Sequence, residues 1–163
     1  MVAGDRQILT MLEQDGRLTA RQIAERLGRP EKEIKARIAE LEQKGILRRY
    51  KAVINWEKTG AEDVFAFIEV KVAPQRGLGF DAVAERILQF PEVHSLYLMS
   101  GAYDLHVVVQ GKSMKEVAFF VAEKLAPLEG IVGTATHFVL RKYKVDGDVM
   151  ETKEEPKRLA VTP

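Results

Sequence analysis

The hydrophobic period of this chain changes near residue 64, and that change limits its fold more than any other feature. Before it, apolar residues recur every three to four positions, as on a helix that buries one stripe. After it, Val64, Ala66, Ile68, Val70 and Val72 alternate with Phe65, Phe67, Glu69 and Lys71, the period of a strand. Residues 56–63, a short polar run with Gly60, lie between. The reading is two differently built units, 1–55 and 64–144, joined by a linker over 56–63 and followed by an acidic, proline-containing tail over 145–163.

The first unit reads as three short helices. Ile8, Leu9 and Leu12 follow Asp5, which suits an N-cap, and Gly16 ends that helix. Thr19 with Gln22 makes a capping box, in which hydroxyl and side-chain amide each satisfy a free backbone N–H. Leu18 and Ile23 stand where a hydrophobic staple sits. Ala20, Ile23, Ala24 and Leu27 form the buried stripe up to Gly28. A third helix starts near Pro30, buries Ile34, Ile38 and Leu41, and ends at Gly45. Residues 46–54 read as extended chain, expected to form a β-ribbon. Three helices with a tight Gly28-Arg29-Pro30 turn and a basic ribbon make a winged helix-turn-helix pattern.

Charge distribution supports this reading. The net charge is only +1, but residues 29–51 hold 8 basic against 4 acidic side chains. On the third helix the face opposite Ile34 centres on Lys32, Ala36, Ala39 and Gln43, flanked by Glu33 and Lys35. Lys32 and Lys35 suit guanine acceptors or phosphates, Glu33 suits cytosine N4, and Ala36 suits a thymine methyl. Arg48, Arg49 and Lys51 suit phosphates. The competing reading of each charge is a solvated helix face.

The second unit reads β-α-β twice. After the strand from Val64 come a loop over 74–79 and a helix with Phe80, Val83, Ala84, Ile87 and Leu88. Strands follow over 93–99 and 103–109, joined by a turn at Ser100-Gly101-Ala102. Ser113 and Glu116 make a second capping box, opening a helix expected to bury Met114, Val117, Val121 and Leu125, before a last strand over 131–143. This order predicts a ferredoxin-like βαββαβ domain, so the fold class is α+β. Its sheet has one open face, for which Phe65, Phe67 and Phe138 are candidates. Strand phase alone leaves open which set faces outward. An open apolar face predicts a covering partner and hence a dimer or larger assembly.

With no cysteines there are no disulfides, thiolate metal sites or cysteine nucleophile. His94, His106 and His137 lack the i, i+4 spacing of a helical zinc motif, so no metal or other cofactor is expected. There is no run of about 18 apolar residues, and Met1-Val2-Ala3-Gly4-Asp5 is unlike a signal peptide. The expectation is a cytoplasmic protein without membrane contact.

The motifs resemble the leucine-responsive regulatory protein/AsnC family of feast/famine transcriptional regulators. In the first unit the resemblance rests on Asp5-Arg6-Gln7-Ile8-Leu9, Gly16-Arg17-Leu18-Thr19, Ile23-Ala24-Glu25-Arg26-Leu27-Gly28, the run from Ile34 to Glu42 and the run from Gly45 to Ala52. In the second it rests on Ser100-Gly101-Ala102-Tyr103-Asp104-Leu105 and on Thr134-Ala135-Thr136-His137-Phe138-Val139-Leu140. It implies a regulator that binds double-stranded DNA and a small effector, often an amino acid, and that assembles as dimers and octamers. The implied effector residues are Ser100, Gly101, Ala102, Tyr103 and Asp104, faced by Thr134 and Thr136. Gly101 would let the backbone approach a carboxylate, and Asp104 would meet an ammonium group. Either residue would equally serve the turn alone.

Arg29-Pro30 departs from the family's usual apolar residue and serine cap. A related branch of the fold, the siroheme decarboxylases, supplies an enzymatic alternative. Those proteins carry a His-Ala-Tyr-Asn type sequence where this chain has Gly101-Ala102-Tyr103-Asp104. A ligand-binding or assembly module without DNA binding is a third reading.

Overall fold

The computed structural model describes residues 4–60, 63–73 and 79–150. Most of the loop expected over 74–79 and the end of the acidic tail lie outside those residues. The chain divides into two compact units, Met1–Ile54 and Asn55–Pro163.

The first unit holds α1 (Asp5–Gln14), α2 (Ala20–Leu27) and α3 (Glu31–Gln43). Ile8, Leu12, Ile23, Ala24 and Ile34 form its buried cluster, with Leu18, Leu27, Ile38 and Leu47 packed around it. The Thr19 capping box is complete: Gln22 N–H donates to Thr19 Oγ1 at 3.2 Å, and Thr19 N–H donates to Gln22 Oε1 at 2.9 Å. Gly28 ends α2 with φ +64, a conformation that costs a side-chain-bearing residue more than glycine.

Three expectations change here. Asp5 is not a cap. Gly4 holds that position, and Asp5 is the first helical residue, with its side chain buried. Its carboxylate accepts from Arg37 of α3, with Nη2 to Oδ2 at 2.6 Å, because a buried carboxylate requires a charged or hydrogen-bonding partner. Pro30 takes the N-cap position of α3, one place earlier than the first turn. The β-ribbon is absent: residues 48–55 have no regular secondary structure. A ribbon needs two strands and a return turn, whereas this segment runs on without one. Its entry is drawn back to α3, where Ile46 N–H and Leu47 N–H both donate to the Leu41 carbonyl.

The second unit contains β1 (Val64–Val72), α4 (Phe80–Ile87), β2 (Val93–Leu98), β3 (Leu105–Gly111), α5 (Met114–Phe119) and β4 (Ile131–Phe138). The sheet order is β2-β3-β1-β4, with β1 antiparallel to both β3 and β4. This is the expected ferredoxin-like arrangement. Ala66, Ile68, Val70 and Val72 of β1 pack with Leu105, Val107 and Val109 of β3 against Val83 and Ile87 of α4 and Val117, Phe120 and Leu125 beyond.

The α5 helix continues as a π-helix over Phe120–Leu125, where Ala126 N–H donates to the Val121 carbonyl. The wider turn buries Phe120 and Leu125, five apart, and leaves Val121 half-buried. Met114, expected in the core, is 52% exposed because it sits in the first turn, ahead of the stripe that begins at Val117. The Ser113 cap is only half a box. Ser113 Oγ accepts from Glu116 N–H, but the Glu116 carboxylate accepts from Lys112 N–H rather than Ser113.

β4 ends at Phe138, short of the expected Tyr143. Register places Phe138 opposite Ala66, on the helix-covered side, so Phe138 is not on the open face. Phe65 and Phe67 point to the other side, as their odd positions on β1 require. Beyond β4, β5 (Lys144–Val145) and β6 (Asp148–Val149) form a small hairpin around Asp146 and Gly147, both at positive φ. Residues 56–59 of the linker form a 3-10 turn, and Asn55 Nδ2 donates to the Met150 carbonyl at 2.6 Å.

Thr19→Ala is expected to destabilise the first unit by about 1 kcal/mol through loss of the cap. Asp5→Asn should also lower its thermal midpoint, because Arg37 loses the buried one of its two carboxylate partners. Thermal denaturation followed by circular dichroism checks both; an unchanged Asp5→Asn midpoint would show the pair to be dispensable.

Candidate functional site

The residues proposed for DNA contact are all exposed on the first unit. Lys32, Glu33, Lys35 and Ala36 are exposed on α3, as are Ala39 and Gln43. Their exposure follows from the opposite face, where Ile34 and Leu41 are fully buried. Two of the charged residues are paired along the helix. Lys35 Nζ lies 2.6 Å from Glu31 Oε1, and Glu33 pairs with Arg29. Lys35 holds the Glu31 carboxyl below its ordinary range. Arg48, Arg49 and Lys51 are exposed on the segment after α3. Among the described residues Lys32, Arg48 and Arg49 enter no ion pair, which leaves their charge for a phosphate or base.

Two arginines that the composition alone did not single out position this helix. Arg37 bridges Asp5 and Glu40, and hydrogen bonding to Asp5 raises its guanidinium above the ordinary value. Arg29 pairs with Glu33 and packs over Gly4, where an added Cβ would come within 2.5 Å of Arg29 Nη1. The Arg29-Pro30 departure therefore ties the entry of α3 to the start of α1. The sequence carried no local signal for Asp5–Arg37, whose partners are 32 residues apart.

In the second unit, Ser100, Gly101 and Ala102 are exposed at the β2–β3 turn, and Tyr103 and Asp104 are half-buried. Asp104 is fixed from three sides. Its N–H donates to the Val70 carbonyl at 3.0 Å, and its carbonyl accepts from Met99 N–H at 2.8 Å. Its Oδ2 accepts from Val72 N–H at 2.8 Å, closing the end of β1. Oδ1 accepts no hydrogen bond among the described residues. Gly101 has φ +150, and a Cβ there would meet nothing within 4 Å. Backbone conformation, not crowding by the chain itself, favours glycine at this place. Tyr103 Oη lies 3.4 Å from His106 Nδ1, towards the open sheet face.

Thr134 and Thr136 do not meet this turn. They pair with Val70 and Ile68 on β4, while the turn leads into β3, and β1 lies between. Among the described residues there is no metal-binding group of His, Cys, Asp or Glu, and no helix is long and apolar enough to cross a membrane.

Residues 65–149 match the family model of the Lrp/AsnC ligand-binding domain, and residues 5–48 match a winged helix-turn-helix DNA-binding model. The chain belongs to the Lrp/AsnC family. It is 50% identical over 158 residues to the HTH-type transcriptional regulator YugG of Bacillus subtilis, covering 96% of this chain and 95% of that one. It is 32% identical to the regulator FL11 of Pyrococcus furiosus, covering 93% of each. Among solved structures, a transcriptional regulator of Neisseria meningitidis in complex with L-Met aligns at 26% identity and a TM-score of 0.68, covering 89% of this chain and 93% of that one. The leucine response regulatory protein of Mycobacterium tuberculosis shares the fold at a TM-score of 0.75 and 22% identity, covering 93% and 100%. This Lrp/AsnC protein is accordingly a DNA-binding transcriptional regulator with a ligand-binding domain. The enzymatic alternative is set aside on the relatives, which are named as regulators.

Asp104 separates two roles. Asp104→Asn keeps an oxygen for Val72 N–H, and Asp104→Ala does not. Asp104→Ala is expected to cost about 1–3 kcal/mol of stability, and Asp104→Asn much less. Chemical denaturation measures the difference; equal losses would place the importance of Asp104 in its charge.

Proposed function

We propose that this regulator reads DNA through α3 and senses an amino acid at the turn over residues 100–104. Residues 1–55 are the DNA-binding part, 56–63 the linker, 64–144 the effector and assembly part, and 145–163 the tail. Lys32, Glu33, Lys35 and Ala36 face base edges, and Arg48, Arg49 and Lys51 hold phosphates. The ion pairs of Lys35 with Glu31 and of Glu33 with Arg29 must rearrange for those two residues to contact bases.

One observation carries the effector reading: the Asp104 carboxylate is held in place by one oxygen and leaves the other without a partner, beside an exposed glycine. A fixed carboxylate suits an α-ammonium group. The backbone at Ser100, Gly101 and Ala102 suits a carboxylate, which requires donors if it is to be buried. Tyr103 and the Thr134 and Thr136 hydroxyls complete the set. Since the threonines are two strands away within one chain, they are supplied to the turn by a neighbouring copy. The site then lies between dimers and couples effector binding to assembly, up to an octamer. The L-Met complex of the Neisseria regulator supports an amino-acid ligand. The minimum unit is a dimer that covers the open face of the sheet, where Phe67 is 42% and Tyr97 54% exposed.

For DNA, Arg48→Ala with Arg49→Ala should weaken all sequences about equally and flatten the dependence of affinity on salt. Lys32→Ala should instead reduce discrimination by about 1–3 kcal/mol. Titrations at several salt concentrations, on operator and scrambled duplexes, test both. A double-arginine loss confined to the operator contradicts the phosphate role.

For the effector, a panel of amino acids should include at least one that raises the melting temperature of the wild-type chain. Asp104→Asn should abolish that rise and keep DNA binding. A full response in this variant places the site elsewhere.

A further inference from the structure

The segment after α3 carries Arg48, Arg49 and Lys51, yet residues 48–55 have no regular secondary structure. Cations on a loose stretch must be ordered when they meet phosphates, and the lost entropy opposes binding. Contacts that hold the stretch beforehand remove part of that cost.

The structure supplies such contacts at either end of the basic run. Before it, Ile46 N–H and Leu47 N–H donate to the Leu41 carbonyl at 2.9 and 3.1 Å, and Leu47 packs against the buried cluster of the unit. Within it stands Tyr50, whose hydroxyl donates to Glu42 Oε1 of α3 at 3.0 Å. The ring of the same residue lies against Gly16, in the turn between α1 and α2. A Cβ placed on Gly16 would stand 3.6 Å from Tyr50 Cδ1 and 3.7 Å from Tyr50 Cβ. Tyr50 thus touches both the last turn of α3 and the turn that leads into α2.

Arg48 and Arg49 fall between Leu47 and Tyr50, and Lys51 follows Tyr50 directly. The Arg48 guanidinium lies back over Gly45, with Nη1 3.5 Å from where a Cβ would stand. Tyr50 is 47% exposed, so its hold comes from these contacts rather than from the core. Partial burial first, and the Glu42 hydrogen bond second, raise its phenol above the ordinary value. It therefore keeps its proton at neutral pH and remains a donor to Glu42.

We propose that Tyr50 is a positioning residue for DNA binding: its ring on Gly16 and its hydroxyl on Glu42 hold Arg48, Arg49 and Lys51 in place for phosphates. The proposal rests on the phosphate reading above and adds the residue that presents those cations. Tyr50 takes the part that a return strand plays in a β-ribbon, tying the basic stretch to the body of the unit. It needs no contact with DNA itself. An effect routed through the arginines has its own signature, because it disappears when the arginines are absent.

The test is a set of salt titrations of the full chain on a scrambled duplex. Tyr50→Ala should weaken binding about tenfold and lower the logarithmic salt slope by about 1–2, as loss of one or two phosphate contacts does. Added to Arg48→Ala with Arg49→Ala, it should cost no more than about a further twofold, through Lys51. Glu42→Ala and Glu42→Gln remove the same charge, and only Gln keeps an oxygen for the phenol. Glu42→Gln should therefore bind about threefold more tightly than Glu42→Ala. Circular dichroism establishes that each variant is folded, and the Glu42 pair keeps the test open if Tyr50→Ala is not. Wild-type affinity and slope in Tyr50→Ala, beside a double-arginine variant that loses both, overturn the positioning role and leave the phosphate reading standing. A loss that persists in full without the arginines places Tyr50 on the DNA and also overturns that role. Equal affinities of the two Glu42 variants overturn the hold through α3. A double-arginine variant with the wild-type salt slope overturns the phosphate reading and this proposal together.

Discussion

The strand β1 is hydrogen-bonded along both edges, and this double pairing organises the second unit. With both edges occupied, its side chains have only two directions to take. Ala66, Ile68, Val70 and Val72 go to the helices and form the core. Phe65, Phe67, Glu69 and Lys71 go to the open side, the surface proposed for self-association. The C-terminal end of the same strand sets the turn proposed to bind the effector, since the Val70 carbonyl and the Val72 amide hold Asp104. A one-residue slip of β1 would exchange core and surface and free Asp104, so fold, proposed site and assembly face share one register.

The first unit relies on a different constraint. A carboxylate buried at the start of α1 must be paired, and its partner is Arg37, midway along the helix that carries the residues proposed to face DNA. Glu40 and Lys44 extend the pairing towards the end of α3. Glu40 is held below the ordinary carboxyl range by Lys44 first and Arg37 second. One side of α3 is thus committed to structure, and the other remains available for nucleic acid.

Much of the fold was legible because its signals are local. The Thr19–Gln22 box and the glycines after α2 and α3 fix helix ends within a few residues. The alternation from Val64 identifies β1 without knowledge of its neighbours. Local signals also misled. Asp5 has the chemistry of a cap, yet its carboxylate bonds to a residue 32 positions away. The basic run after Gly45 has strand character, but a ribbon depends on a return strand that this segment does not provide. Met114 falls in the expected helical stripe but lies in the exposed first turn, and the π-helix buries Phe120 where the stripe called for Val121.

The sequence by itself determined the order of elements, their hydrophobic faces and the concentration of positive charge around α3. These depend on period, caps and composition, all contained in short windows of chain. Only the tertiary structure decided that Phe138 faces the core, that Asp104 is anchored by β1, and that Thr134 and Thr136 are separated from the turn. The physical reason is register. Backbone hydrogen bonds between strands choose which residues stand side by side, and strand phase in one segment carries no information about its partner's phase.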